Sequence, residues 1–186
     1  MAERVCPWWL GYLLASPIRR LVHDPHKILS PYVRESMTVL EPGPGMGFFT
    51  LELARLVGPS GRVVALDLQP KMLDGLKHRA AKAGLLERLV VRLAGSGSLG
   101  ITDLAGKVDF ALAFAVVHEL PDAARFFTEV AATLKPGACL LFAEPSGHVT
   151  AAQFETEINS AVGAGLKPVE YPSIWRGRAV LLKKEG

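Results

Sequence analysis

Apolar residues along this chain follow two patterns in turn. Short, nearly continuous apolar runs recur at Thr38 to Leu40, Arg62 to Leu68, Leu89 to Ala94, Val108 to Val117 and Ala138 to Ala143. Runs of this kind suit strands buried on both faces of a parallel sheet. Between them the apolar positions fall three or four apart, as on the buried face of a helix. Phe49, Leu53, Leu56 and Val57 form one such face, which stops at Gly58-Pro59. Met72, Leu76, Ala80 and Ala83 form the next, with Gly84 as its C-cap. Phe126 or Phe127, Val130 and Leu134 mark a helix over about Asp122 to Leu134, and Phe154, Ile158 and Val162 mark another that ends at Gly163–Gly165. Two closing strands are expected at Lys167 to Tyr171 and Arg178 to Lys183. Strands alternating with helices predict βαβ units and a parallel sheet. No repeat, low-complexity stretch or linker interrupts the pattern, so the expectation is one domain over 1–186. Within it, 1–35 form a helical lead segment and 36–186 the core. Pro17, Pro25 and Pro31 break the lead into pieces, and Asp24 ahead of Pro25 reads as an N-cap with proline at the first helical position.

Composition narrows the class. The chain has 186 residues, of which 49% are hydrophobic, enough for one well-buried body. A net charge of +3, without a run of five or six like charges, gives no nucleic-acid tail. The two cysteines, Cys6 and Cys139, form no disulfide framework, which makes a reducing cytoplasmic compartment the default, and Cys139 reads as a small core residue. The apolar stretch Val5 to Ala15 is too short to span a bilayer and is broken by Pro7, Trp8 and Trp9. It reads as an amphipathic lead, either a lid over a site or a surface that touches lipid. Nothing here separates a monomer from a homodimer.

The turn from Glu41 to Gly47 carries the chemistry. A strand ends on Glu41, glycines follow at Gly43, Gly45 and Gly47, and a helix then begins. Glycine lets the backbone take positive φ and lie against a bound molecule, while a helix start offers N–H groups. The dinucleotide pattern Gly-x-Gly-x-x-Gly fails, because Phe48 or Thr50 occupies the third position. A carboxylate at Glu41 would also repel a pyrophosphate. An ammonium-bearing nucleoside without phosphate suits it, and S-adenosylmethionine is such a ligand. Asp67, at the end of the second strand, is placed to bind a ribose diol.

The chain here resembles the class I S-adenosylmethionine-dependent methyltransferases. The resemblance rests on Glu41-Pro-Gly-Pro-Gly-Met-Gly47, Val64-Ala-Leu-Asp-Leu-Gln-Pro70 with Met72, Val116-Val-His-Glu-Leu-Pro-Asp122, and Leu134-Lys-Pro-Gly137. Its nearest look is of the small-molecule branch that includes ubiquinone and menaquinone biosynthesis enzymes. It implies an α/β fold, a doubly wound Rossmann-like seven-stranded sheet whose last strand runs antiparallel; the residues themselves make the helical lead, with Trp8, Trp9, Tyr12 and Leu13, the candidate apolar lid over the acceptor, or a segment that simply packs on the domain. It also implies cofactor contacts: Glu41, Gly43, Gly45 and Gly47 at the methionine part, Asp67 on the ribose, Leu68 and Met72 against adenine, and Ser96, Gly97 and Ala115 around them. The family usually has an acidic residue where this chain has Ser96, and a hydroxyl accepts the adenine amino group more weakly.

Methyl transfer needs alignment above all, and a base only if the acceptor arrives protonated. His118, Glu144 and His148 follow the fourth and fifth strands, where ligands of such sheets bind, and are the candidate catalytic residues. A metal is not expected. The bland alternatives are a solvated His148 and an Asp122 that only caps its helix. His118-Glu-Leu-Pro121 also differs from the Asn/Asp-Pro-Pro-aromatic motif of nucleic-acid amino methyltransferases, which points to a small-molecule acceptor. Two other readings stay open: a cofactor-binding sensor or partner subunit without catalysis, and a dinucleotide oxidoreductase.

Overall fold

The computed structural model describes residues 23–95 and 97–186. In chain order the elements are α1 (Pro25–Leu29), β1 (Thr38–Pro42), α2 (Thr50–Leu56), β2 (Arg62–Asp67), α3 (Pro70–Lys82), β3 (Leu89–Leu93), β4 (Val108–Phe114), α4 (Ala123–Thr133), β5 (Leu134–Pro145), α5 (Ala151–Gly163), β6 (Leu166–Glu170) and β7 (Gly177–Lys184). The strands form a seven-stranded sheet in the order β3-β2-β1-β4-β5-β7-β6. Strand β7 runs antiparallel to both β5 and β6. This is the Rossmann-like architecture expected from the sequence. The described residues fall into two compact units, 23–95 and 97–186.

In residues 23–95, β1 and β3 flank β2 in parallel register, with Glu41 opposite Ala65 and Asp67 opposite Leu93. Val39, Leu40 and Val63 to Leu66 are buried, as expected of strands covered on both faces. Asp24 caps α1, its carboxylate accepting the amides of His26 and Lys27. Met72, Leu76 and Ala80 turn inward on α3, but Ala83, expected with them, is exposed at the helix end. Arg88 donates to the Ala54 carbonyl at 2.9 Å, tying the approach to β3 to α2.

In residues 97–186, β4 and β5 are parallel and an aromatic column covers them. The Phe127 ring meets Phe142 edge-on at 5.2 Å, and Phe154 stacks on Phe142 at 5.0 Å. Asp122 caps α4 by accepting the Arg125 amide at 2.9 Å. Thr150 and Gln153 form a reciprocal capping box at the start of α5. Four expectations need correction. The fourth strand ends at Phe114, not Val117, because Ala115 takes φ +57° and turns the chain. The fifth begins at Leu134, with Gly137 at φ +77° inside it and a register shift between Val108 and Phe110. Val162 is 48% exposed, and Ala161 fills the buried position instead. Cys139 is only half-buried, where burial pushes its thiol pKa up.

Candidate functional site

In residues 23–95, the turn after β1 is held by its own backbone. The Gly43 amide donates to the Leu66 carbonyl and the Gly47 amide to the Pro44 carbonyl, both at 2.9 Å, while Arg79 on α3 donates to the Met46 carbonyl. Gly47 has φ +83°, and a Cβ there would run into the Leu76 side chain. Gly45 has φ +53°, yet a Cβ there would meet nothing within 4 Å. Gly47 is therefore needed for packing, whereas Gly45 faces open space that a ligand can fill. The amides of Leu51, Glu52 and Leu53 are already taken by the carbonyls of Gly47 and Phe49. The start of α2 thus offers fewer free donors than its sequence suggests, because the chain tightens as it enters the helix.

Two carboxylates face this turn. Asp67 accepts the Gln69 amide at 2.9 Å, and its pKa is raised by partial burial, with the amides of Gln69, Gly45 and Leu68 pulling the other way. Glu41 is only 3% exposed, and burial pushes its pKa up to about 8. The Thr50 hydroxyl lies near enough to favour the charged form, but no hydrogen bond closes. Glu41 Oε2 and Thr50 Oγ1 are both buried without a partner. A buried acceptor left this way costs about 1–3 kcal/mol, more if charged. A ligand that brings a cationic donor to it recovers that cost, whereas an anion would meet two acidic groups. Leu68 is half-buried and Met72 buried, Gly97 is exposed, and Ser96 lies outside the described residues.

In residues 97–186, a second cluster lies past the carboxyl ends of β4 and β5. Glu144 is 1% exposed and its carboxylate accepts three donors. The Val117 amide reaches Oε1 at 2.8 Å, the His118 amide reaches the same oxygen at 3.3 Å, and His118 Nδ1 meets Oε2 at 2.5 Å. The strained Ala115, whose amide donates to the Ala143 carbonyl at 2.8 Å, redirects the chain so that residues 117–119 form a 3₁₀ turn over Glu144. Bonding to Glu144 fixes the proton on Nδ1 and raises the His118 pKa, against the effect of burial. Nε2 is thereby left as the proton acceptor. His148 is exposed, with its ring edge-on to His118 at 5.7 Å. The structure thus brings His118, Glu144 and His148 together.

Glu157 on α5 escaped that reading. Burial, then the charge of Glu144, raises its pKa to about 7, and its Oε2 is buried without a partner. A signal existed: an acidic residue just before the inward Ile158 and three places after the inward Phe154. Among the described residues no three His, Cys, Asp or Glu are arranged to hold a metal ion. No helix among them is long and apolar enough to cross a membrane. The expected lid residues Trp8, Trp9, Tyr12 and Leu13, and Cys6, lie outside the described residues.

A family model described as a methyltransferase domain matches residues 34–175. An arsenite methyltransferase of Halobacterium salinarum is 33% identical over 100 residues, which cover 54% of this chain and 25% of that protein. A demethylmenaquinone methyltransferase of Lactobacillus johnsonii is 32% identical over 92 residues, covering 50% of this chain and 37% of that one. The chain thus spans about a quarter to a third of the length of such curated relatives. Among solved structures, an S-adenosylmethionine-dependent methyltransferase from Aquifex aeolicus superposes with a TM-score of 0.85 at 25% identity, covering 96% of this chain and 99% of the other.

Proposed function

Since the chain belongs to the methyltransferase-domain family, we propose that it moves a methyl group from S-adenosylmethionine to a small-molecule acceptor. The observation that carries this reading is the buried, unpartnered oxygen of Glu41 beside the open cradle at Gly45. Such a pair fits the ammonium end of that cofactor, whose charge would draw Glu41 into the ionised form that pairs with it. Asp67, with its carboxylate already oriented by the Gln69 amide, would hold the ribose diol. Leu68 and Met72 would face adenine, and the resemblance adds Ser96, Gly97 and Ala115 as further candidate cofactor contacts. When bound, the cofactor supplies an electrophilic methyl group on a sulfonium.

The chain's own residues then act on the acceptor. His118, oriented by Glu144, accepts a proton at Nε2 from an acceptor atom that arrives protonated, and exposed His148 lines the approach. Two lines of support favour a small acceptor: the His118-Glu-Leu-Pro121 exit of β4, and relatives whose names specify arsenite and demethylmenaquinone. A place in the quinone-biosynthesis branch is the finer form of this proposal, with the N-terminal segment as lid. Titration calorimetry with S-adenosylmethionine, its demethylated product and NAD tests the cofactor: the first two should bind and NAD should not. Transfer of a labelled methyl group to a panel of quinols, catechols, amines, thiols and arsenite then identifies the acceptor. Tight NAD binding, or cofactor binding without turnover on any acceptor, would defeat the proposal.

A further inference from the structure

Three elements of residues 97–186 each bring an ionisable side chain within electrostatic reach of the others. His118 and Glu119 come from the 3₁₀ turn, Glu144 from β5 and Glu157 from α5, with His148 on the connecting loop. The aromatic column fixes this meeting. Phe142 and Glu144 are two apart on a strand and share a face, and Phe154 stacks on Phe142. Residues 146–150 alone join β5 to α5, so the helix starts beside the carboxyl end of the strand. Helical side chains lean toward the helix N-terminus, which carries Glu157 toward that same end. Arg178, the cation of β7 that approaches this loop, gives its Nε to the Val149 carbonyl instead.

We infer that Glu157 is a positioning residue for methyl transfer: its charge acts through the His118–Glu144 pair to strengthen the imidazole as a proton acceptor. This inference rests on the reading of His118 as the base. When a protonated acceptor atom attacks the methyl carbon, its electron pair forms the new bond and the carbon–sulfur pair returns to sulfur. The acceptor's proton passes to His118 Nε2 and from there to solvent. A second negative charge close by favours the resulting imidazolium. Glu144 alone orients the ring, since its oxygens are occupied by Val117 and His118. Glu157 makes no such bond. A carboxylate oxygen buried with no partner on an otherwise amphipathic helix is costly, and its effect on neighbours at a distance is what it contributes. Its pKa of about 7 places the change of charge in the working range.

The test is an NMR titration of the His118 imidazole in the full, cofactor-free chain. In the wild type the His118 resonance should show a second inflection at the pH where the Glu157 carboxyl carbon titrates. In Glu157→Gln the imidazole pKa should fall by about half a unit or more, and Glu157→Asp should restore it. With an acceptor in hand, Glu157→Gln should lower kcat several-fold near neutral pH while KM holds. A single wild-type inflection, or a His118 titration unmoved in Glu157→Gln, overturns the inference, and the first needs no variant to fold. Because the titration uses neither cofactor nor turnover, its failure is distinct from failure of the methyltransferase reading, which calorimetry decides.

Discussion

Glu41 and Glu144 occupy the same local setting twice. Each is the next-to-last residue of a buried strand, each is followed by proline, and they are 3% and 1% exposed. Their surroundings are opposite. Glu144 collects two amides and an imidazole, whereas Glu41 keeps one oxygen without a partner and is pushed to a pKa of about 8. Burial depth alone therefore does not say what a buried acid does. The satisfied one holds the chain's own geometry, and the unsatisfied one is left for something the chain does not supply.

Glu144→Ala should break this contrast most severely. It leaves the Val117 and His118 amides buried without their acceptor, and unfolding in urea should show a loss of about 3 kcal/mol or more. Glu41→Gln should do the reverse. A carboxyl held near pH 8 in the fold and at 4.5 in the unfolded chain gives stability that is fully present below 4.5 and lost as pH rises through 8. The amide does not titrate, so its melting temperature should exceed the wild type's by ~5 °C or more at pH 8 and converge with it toward pH 4.5. Calorimetry should show cofactor affinity reduced about tenfold or more in the same variant. Parallel melting curves across that range, recorded without added cofactor, would sink the assignment of Glu41 as a neutral acid.

Smaller changes sharpen the comparison. Gly47→Ala, with φ +83° and a collision with Leu76, should cost about 2 kcal/mol by thermal unfolding. Gly45→Ala should cost about 1 kcal/mol but weaken cofactor binding more, because its Cβ enters open space. Thr50→Val should be the mildest, within about 1 kcal/mol of wild type, since the hydroxyl it removes has no partner.

The sequence was legible where local chemistry decides. Asp24 and Asp122 cap the helices they precede, and the apolar runs became strands, buried in β1, β2 and β4, whereas β3 lies at the sheet edge with Val90 and Leu93 exposed. It misled where the difference lies in fine angle or distant packing. At about 100° per residue, Ala161 lies roughly 20° round the helix from Phe154 and Val162 about 80°, so counting by fours chose the wrong residue. The fourth strand looked longer than it is because Ala115, Val116 and Val117 are apolar, and only the backbone reveals the turn at Ala115. Of the site, the acids of the glycine turn and the His118–Glu144 pair could be read from their places after strands. Glu157 could not, because a charge on a helix flank looks solvated until the fold brings Glu144 and His118 within electrostatic reach of it.

The position of β7 has a consequence for how the chain is made. It is the last strand in sequence, yet it lies between β5 and β6 and pairs with both, from Gly177 to Lys184. A nascent chain that has emerged only to Tyr171 carries β5 and β6 with no shared neighbour, each with a line of unpaired amides and carbonyls. These pairings must wait for β7 to leave the ribosome, and the β5–β7 pairing relies on contacts distant in sequence, which fold slowly. Until Lys184 reaches the Leu134 carbonyl, the exposed strand edges are where a chaperone would have most to protect.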